Sequence, residues 1–245
     1  MPVAGPPVFL VPPGTVTGGS LTLDGPEGHH AAAVRRLRAG ERADVSDGAG
    51  TLAEGVVASV GKDTVTLDIV AVHHAPSPSP RLAVAQALPK GDRGELAVEL
   101  MTEVGVDAVI PWAAARSITK WQAERGAKAL AKWRATAREA AKQSRRAWLP
   151  DIPEMSGTAA LAKRAAGAFT IVLEADADAK LTRLTLPADG EILLLVGPEG
   201  GISPQERAAL KDAGAVEARL GPTVLRTSTA GAAAAAILLS RTGRW

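Results

Sequence analysis

The run Glu191-Ile192-Leu193-Leu194-Leu195-Val196 stops at Gly197-Pro198-Glu199-Gly200-Gly201 and resumes as Ile202-Ser203-Pro204-Gln205-Glu206. From Ile192 to Val196 neither alternate face carries a polar residue, and such a strand belongs in the middle of a parallel sheet, covered by helices on both sides. Serine followed three residues later by glutamate is a capping box, and proline suits the first helical position. A helix is therefore expected from Pro204 to about Ala213, with Gly214 as its stop. The five loop residues join strand to helix at the carboxyl edge of a sheet, where open α/β sheets bind ligands.

The loop narrows the ligand. No Lys-Ser/Thr follows the glycines, so it is not a Walker loop, and it does not match the G-x-G-x-x-G dinucleotide pattern. Glu217 lies about the right distance downstream for a ribose contact, on spacing alone. The glycines let main-chain N–H and C=O groups approach a ligand closely. A tight turn with no ligand accounts for the segment equally well. A second stretch, residues 220–240, repeats the logic: a strand end, Gly221-Pro222, a short polar loop and an apolar helix that Thr227, Ser228 or Thr229 could cap. Two such loops from neighbouring strands form opposite walls of a neutral, largely main-chain pocket, better suited to an adenosine-like molecule than to a triphosphate.

Strand-like segments at 81–88, 107–112, 169–175, 191–197 and 216–221 alternate with helical ones, including a long basic helix over 122–145. This is an α/β domain with a mostly parallel sheet. Its first helix is expected to bury Leu96, Leu100, Met101 and Val104. Upstream, His73 to Leu82 contains alternating Ser-Pro, an extended linker. Short alternating segments with Gly-Asp turns before it read as a small β-rich barrel. The expected domains are thus 1–74, a linker over 75–80, and 81–245. The chain has no cysteine, which excludes disulfides and thiolate metal sites and fits a reducing cytosol. No apolar run approaches the ~20 residues of a membrane span, and the proline-broken N-terminus is not expected to be a signal peptide. Net charge is +2, which permits a polyanionic partner without demanding one. With two phenylalanines and no tyrosine, an aromatic base-stacking platform is not expected. His29 and His30 lack the carboxylates of a metal site, and no metal is expected.

The segments 193–206 and 220–235 resemble the two signature loops of the ribosomal small-subunit RNA methyltransferase E family, S-adenosylmethionine-dependent enzymes of the trefoil-knotted SPOUT superfamily. The resemblance covers nearly the whole chain: residues 29–41 are similar to the family's histidine-and-arginine segment, 88–117 to the opening of its catalytic domain, and 138–150 to its Glu-Ala-Ala-x-Gln-Ser-x-Arg segment. It implies a knotted α/β methyltransferase domain behind a small N-terminal PUA-like β-barrel, a homodimer, a cytoplasmic location, and methylation of N3 of a uridine in 16S rRNA of the small ribosomal subunit. It further implies that Leu173, Leu195, Gly197, Glu199, Gly200, Leu220, Leu225 and Thr227 hold S-adenosylmethionine. His30, Arg36, Arg93, Arg116 and Arg146 fall where the family carries RNA-side polar residues.

Three departures stand out. Ser228 replaces a family glutamate beside the implied reaction centre, removing a candidate base. Lys142 replaces a glutamate and Arg145 a glycine, and both added charges are compatible with phosphate contact. Arg226 is the candidate for stabilising a uracil anion, with Ser228 or Thr229 orienting the base; an ion pair of Arg226 with a carboxylate or a phosphate is the competing role. Two other functions share these features: a SPOUT enzyme methylating a tRNA ribose 2′-oxygen, and a non-catalytic RNA-binding protein that kept the fold. A nucleotide-dependent enzyme unrelated to methylation is disfavoured by the missing phosphate-loop lysine.

Overall fold

The computed structural model describes residues 5–245. The chain divides into two compact units, the first comprising Met1–Ser77 and Ala141–Leu149, the second Pro78–Ala140 and Pro150–Trp245.

In the first unit, strands β1 (Val8–Leu10), β2 (Gly19–Leu23), β3 (Arg42–Ser46), β4 (Thr51–Val60) and β5 (Val65–His74) form one sheet in the order β1-β3-β4-β5-β2. Only β1 and β3 run parallel; the other neighbours are antiparallel. Alternation puts Ala43, Val45, Ala53, Val57, Val65 and Leu67 into a core with Phe9 and Leu23. A short helix, α1 (Gly25–His29), continues into a wide π-type turn over His30–Val34.

Residues 141–149 complete this unit. Trp148 Nε1 donates to the carbonyls of Ala75 (3.2 Å) and Pro76 (3.0 Å), and Leu149 N–H donates to Gly48 (3.0 Å). Both added cations have carboxylate partners within the unit, Lys142 buried and Arg145 exposed. Lys142, with 5% of its side chain exposed, places Nζ 3.1 Å from Glu27 Oε2, and Arg145 pairs with Asp44. Arg145 has φ +56°, a left-handed conformation that glycine adopts freely and other residues adopt at roughly 1 kcal/mol or more.

The second unit is a five-stranded, wholly parallel sheet. Its strands β6 (Arg81–Ala87), β7 (Ala108–Trp112), β8 (Phe169–Leu173), β9 (Glu191–Val196) and β10 (Val216–Ala218) lie in the order β10-β8-β9-β6-β7. Helices α2 (Arg93–Glu103), α3 (Ala123–Gln143), α4 (Thr158–Ala165), α5 (Pro204–Asp212) and α6 (Thr227–Arg241) connect and cover them. The apolar run of β9 divides as a doubly covered strand must. Ile192, Leu194 and Val196 join a core with Val98 and Met101 of α2 and Leu238 of α6. Leu193 and Leu195 join a second core with Leu161 of α4 and Leu210 of α5. Each fully buried leucine contributes about 1.5–3 kcal/mol.

The first helix forms where expected and buries Met101 of the expected face, with Val104 packed against the core. Leu96 is instead 43% exposed, and Gly94, Ala97, Val98 and Thr102 are buried beside Met101. Small residues let α2 dock closely: a Cβ on Gly94 would lie 2.7 Å from the Trp133 ring, and one on Gly231 of α6 would lie 2.8 Å from Met101 Sδ. The last turn of the chain is tied down by Arg244, which donates to both carboxylate oxygens of Asp107 (2.6 and 3.0 Å) and to the carbonyls of Pro80 and Gly105. Among the described residues no helix is long and apolar enough to cross a membrane.

Candidate functional site

Every loop that leaves a strand at the carboxyl edge of the parallel sheet reaches one cavity of about 620 Å³, within the usual range for small-molecule sites of about 300–1,000 Å³. Leu173 to Ala175 come from the end of β8, Val196 to Glu199 with Gly201 and Ile202 from the end of β9, and Ala218 with Leu220 to Thr227 (Pro222 apart) from the end of β10. Lys90 and Arg93 follow β6 and Ile118 follows β7.

The glycine loop is held from behind. Ser203 Oγ accepts from Glu206 N–H and Glu206 Oε2 accepts from Ser203 N–H, so the capping box is fully formed. Glu206 Oε1 also accepts from Ala115 N–H (2.9 Å) and from the Thr158 hydroxyl (2.8 Å), which in turn accepts from Trp112 Nε1 (3.1 Å). Gly201 takes φ +73°, and a Cβ on Gly197 would lie 2.7 Å from Ile202 Cγ1, so the turn closes only around glycine at these points. Arg116 donates to the Gly200 carbonyl at 3.2 Å. Burial works against the charge on Glu206, but its donors from Ala115, Thr158 and Ser203 outweigh it and hold the carboxyl below the usual glutamate value of 4.5. A depressed folded-state pKa stabilises above the unfolded value and is lost as pH falls through the folded one. Unfolding free energy followed from pH 6 down to pH 3 should therefore decline less steeply in Glu206→Gln than in the parent chain. Parallel acid limbs would show that Glu206 carries no such linkage.

The two loops do face one cavity. Of the residues implied to hold a donor, Leu173, Gly197, Glu199, Leu220, Leu225 and Thr227 line it, whereas Leu195 lies in the core beneath and Gly200 packs toward Arg116. Helix α6 starts without a side-chain cap: Arg226 is its N-cap residue, and the Thr229 hydroxyl donates back to the Arg226 carbonyl at 3.2 Å. Ser228 is 2% exposed and lies outside the cavity lining. Arg226 lines the mouth and is exposed, and among the described residues no carboxylate pairs with it. Of the RNA-side candidates, Arg93 lines the cavity and Arg116 is exposed behind the glycine loop. In the first unit, His30 packs edge-on against Phe9, Arg36 is exposed at φ +55°, and Arg146 is partly buried.

Glu174 was not anticipated. Its side chain is 15% exposed and lines the cavity one residue beyond β8. Burial raises its pKa above 4.5; Arg207 opposes that rise, while Asp176 and Glu217 add to it. Glu217, the ribose candidate on spacing, is instead held by Arg207 through two hydrogen bonds of 2.8 and 2.7 Å.

A family model described as an RNA methyltransferase domain matches residues 75–239, and one described as an RNA methyltransferase PUA domain matches residues 23–70. The chain is 46% identical over 234 residues to the ribosomal RNA small subunit methyltransferase E of Mycobacterium bovis, covering 94% of this chain and 89% of that protein. It is 30% identical over 220 residues to the protein of the same name from Bacillus subtilis, covering 86% of each. A crystal structure of the Neisseria gonorrhoeae ribosomal RNA small subunit methyltransferase E bound to S-adenosyl methionine superposes with a TM-score of 0.87 at 28% identity, over 97% of this chain and 98% of that one.

Proposed function

The chain belongs to the ribosomal RNA small subunit methyltransferase E family, and from that premise we propose that it transfers the methyl group of S-adenosylmethionine to N3 of a uridine in 16S rRNA. The observation that carries this reading is the cavity itself. Its size, its apolar walls from Leu173, Val196, Leu220 and Leu225, and the main-chain groups of two glycine-proline loops fit an adenosine-bearing donor. The same fold holds that donor in the N. gonorrhoeae relative.

The donor supplies an activated methyl on a cationic sulfur, so the enzyme's task is alignment, exclusion of water and management of one proton. Uracil N3 gives its proton to solvent and attacks the methyl carbon; the S–CH3 bond breaks as the N–CH3 bond forms, S-adenosylhomocysteine leaves, and the charge that builds on the ring oxygens needs a fixed cation. Arg226 at the cavity mouth, without a carboxylate of its own, is suited to that work. Thr229 fastens the residue by its backbone, and buried Ser228 lets α6 begin close under the site.

The knot and the homodimer belong to the same reading. Exposed Ile118, Val224 and Leu225 rim the cavity, an apolar edge that a second copy would cover. In the first unit, exposed Arg36 is assigned to a phosphate. Arg36→Gln should weaken RNA binding uniformly and lower the slope of log affinity against log salt by about one. An unchanged slope would remove Arg36 from the interface.

Incubation with labelled donor and undermethylated small subunits, followed by digestion to nucleosides, tests the activity. Label recovered as 3-methyluridine from one site supports it. Label on a ribose 2′-oxygen of tRNA would replace it with the other SPOUT chemistry, and donor binding without transfer to any RNA would leave a non-catalytic RNA-binding protein.

A further inference from the structure

We propose that Glu174 is a specificity residue of the donor site, its carboxylate accepting hydrogen bonds from the two vicinal hydroxyls of the donor's ribose. This rests on the cavity being the S-adenosylmethionine site.

Position is the first argument. The register Val172↔Leu195 between β8 and β9 sets Glu174 level with Gly197, where the glycine loop begins. Glu174 N–H donates to the Ala218 carbonyl at 3.1 Å, so the residue is also fixed to the end of β10. A glycine-rich turn after one parallel strand with an acidic residue at the end of its neighbour is how other open α/β sheets hold a nucleoside. There the turn takes the main-chain contacts and the acid takes the ribose.

Partnering is the second. Arg207 Nη1 stands 3.8 Å from Glu174 Oε2, beyond hydrogen-bond distance, while its other nitrogens are spent on Glu217. None of the side-chain hydrogen bonds among the described residues ends on the Glu174 carboxylate, although it is largely buried in a wall of the cavity. Its oxygens are not among the sealed, unpartnered polar atoms, so the carboxylate is open to the cavity it lines and keeps acceptor capacity for a ligand's donors. A vicinal diol offers two O–H donors at the spacing of two carboxylate oxygens.

Chemistry separates the diol from the donor's cationic sulfur. A carboxylate on the sulfonium would stabilise a charge that disappears during transfer, favouring the reactant over the transition state. Ribose hydroxyls are unchanged through the reaction, so holding them positions the donor without that penalty.

Calorimetry on the full chain tests this with three ligands: S-adenosylmethionine, S-adenosylhomocysteine, and the 2′-deoxyribose form of the latter. Glu174→Gln should weaken the first two by the same factor, about 10- to 100-fold. The deoxy ligand should bind the parent chain more weakly and, keeping only its 3′-hydroxyl, lose less in the variant than the ribose ligands do. A loss confined to S-adenosylmethionine would place the carboxylate on the sulfonium and overturn the proposal. Equal affinity of the parent chain for the ribose and deoxyribose ligands would overturn it too, whether or not the variant folds. If the parent chain binds none of the three, the donor reading itself falls; ribose-independent binding of the donor removes only the role of Glu174.

Discussion

Replacing Arg244 with alanine should lower the unfolding free energy by about 3–5 kcal/mol, the range for breaking one partner of a buried ion pair. Asp107, whose side chain is 6% exposed, would keep its charge while losing both guanidinium contacts, with the Leu82 N–H at 2.8 Å as a remaining donor. The Pro80 and Gly105 carbonyls would lose theirs as well. For a chain of this size each kcal/mol moves the melting temperature by about 2–4 °C, so a fall of roughly 6–20 °C is expected. Replacing both Arg244 and Asp107 with leucine should cost less than Arg244→Ala alone, because no charge is left stranded. Urea unfolding of the three chains decides the matter. A loss below about 1 kcal/mol for Arg244→Ala would mean that water already screens the pair.

The second large effect is on turnover. Arg226→Ala should reduce kcat by about 10²–10³-fold at saturating RNA and donor, the range for deleting one preorganised electrostatic contact to a developing anion. Lysine should restore little, because it replaces a planar fork of donors with a flexible point charge. Donor affinity measured without RNA should stay close to that of the parent chain if Arg226 serves the uracil. Normal turnover in Arg226→Lys would defeat the catalytic assignment, and a matching loss of donor affinity would make Arg226 part of the donor site.

Local signals carried far into this structure where the chain speaks to its near neighbours. The doubly buried β9, the glycine loop and the Ser203–Glu206 box follow from residue type and spacing, and the structure forms each of them. The face of α2 was legible at Met101 but not at its near end, where a helical period weighted by bulky residues points to Leu96 and docking buries the small Gly94 and Ala97. The ion pairs of Lys142 with Glu27 and of Arg145 with Asp44 were illegible in the sequence because the partners lie 115 and 101 positions away. Glu174 gave no signal at all. It is one acidic residue among 26, and only the registers of β8 with β9 and β10 set it in the cavity wall. The Thr-Ser-Thr run offers three caps to the eye, but all three residues lie inside α6, with Arg226 at the N-cap and Thr227 and Ser228 buried.

The closing of the first unit by residues 141–149 has a consequence during synthesis. When Ser77 emerges from a translating ribosome, the nascent unit still lacks the segment that brings Lys142 to Glu27, Arg145 to Asp44 and Trp148 to the Ala75 and Pro76 carbonyls. At about 5–20 residues per second, that segment arrives roughly 4–14 s later. The amino-terminal unit is thus born first but left open, waiting on a stretch that is translated only after the opening elements of the other unit.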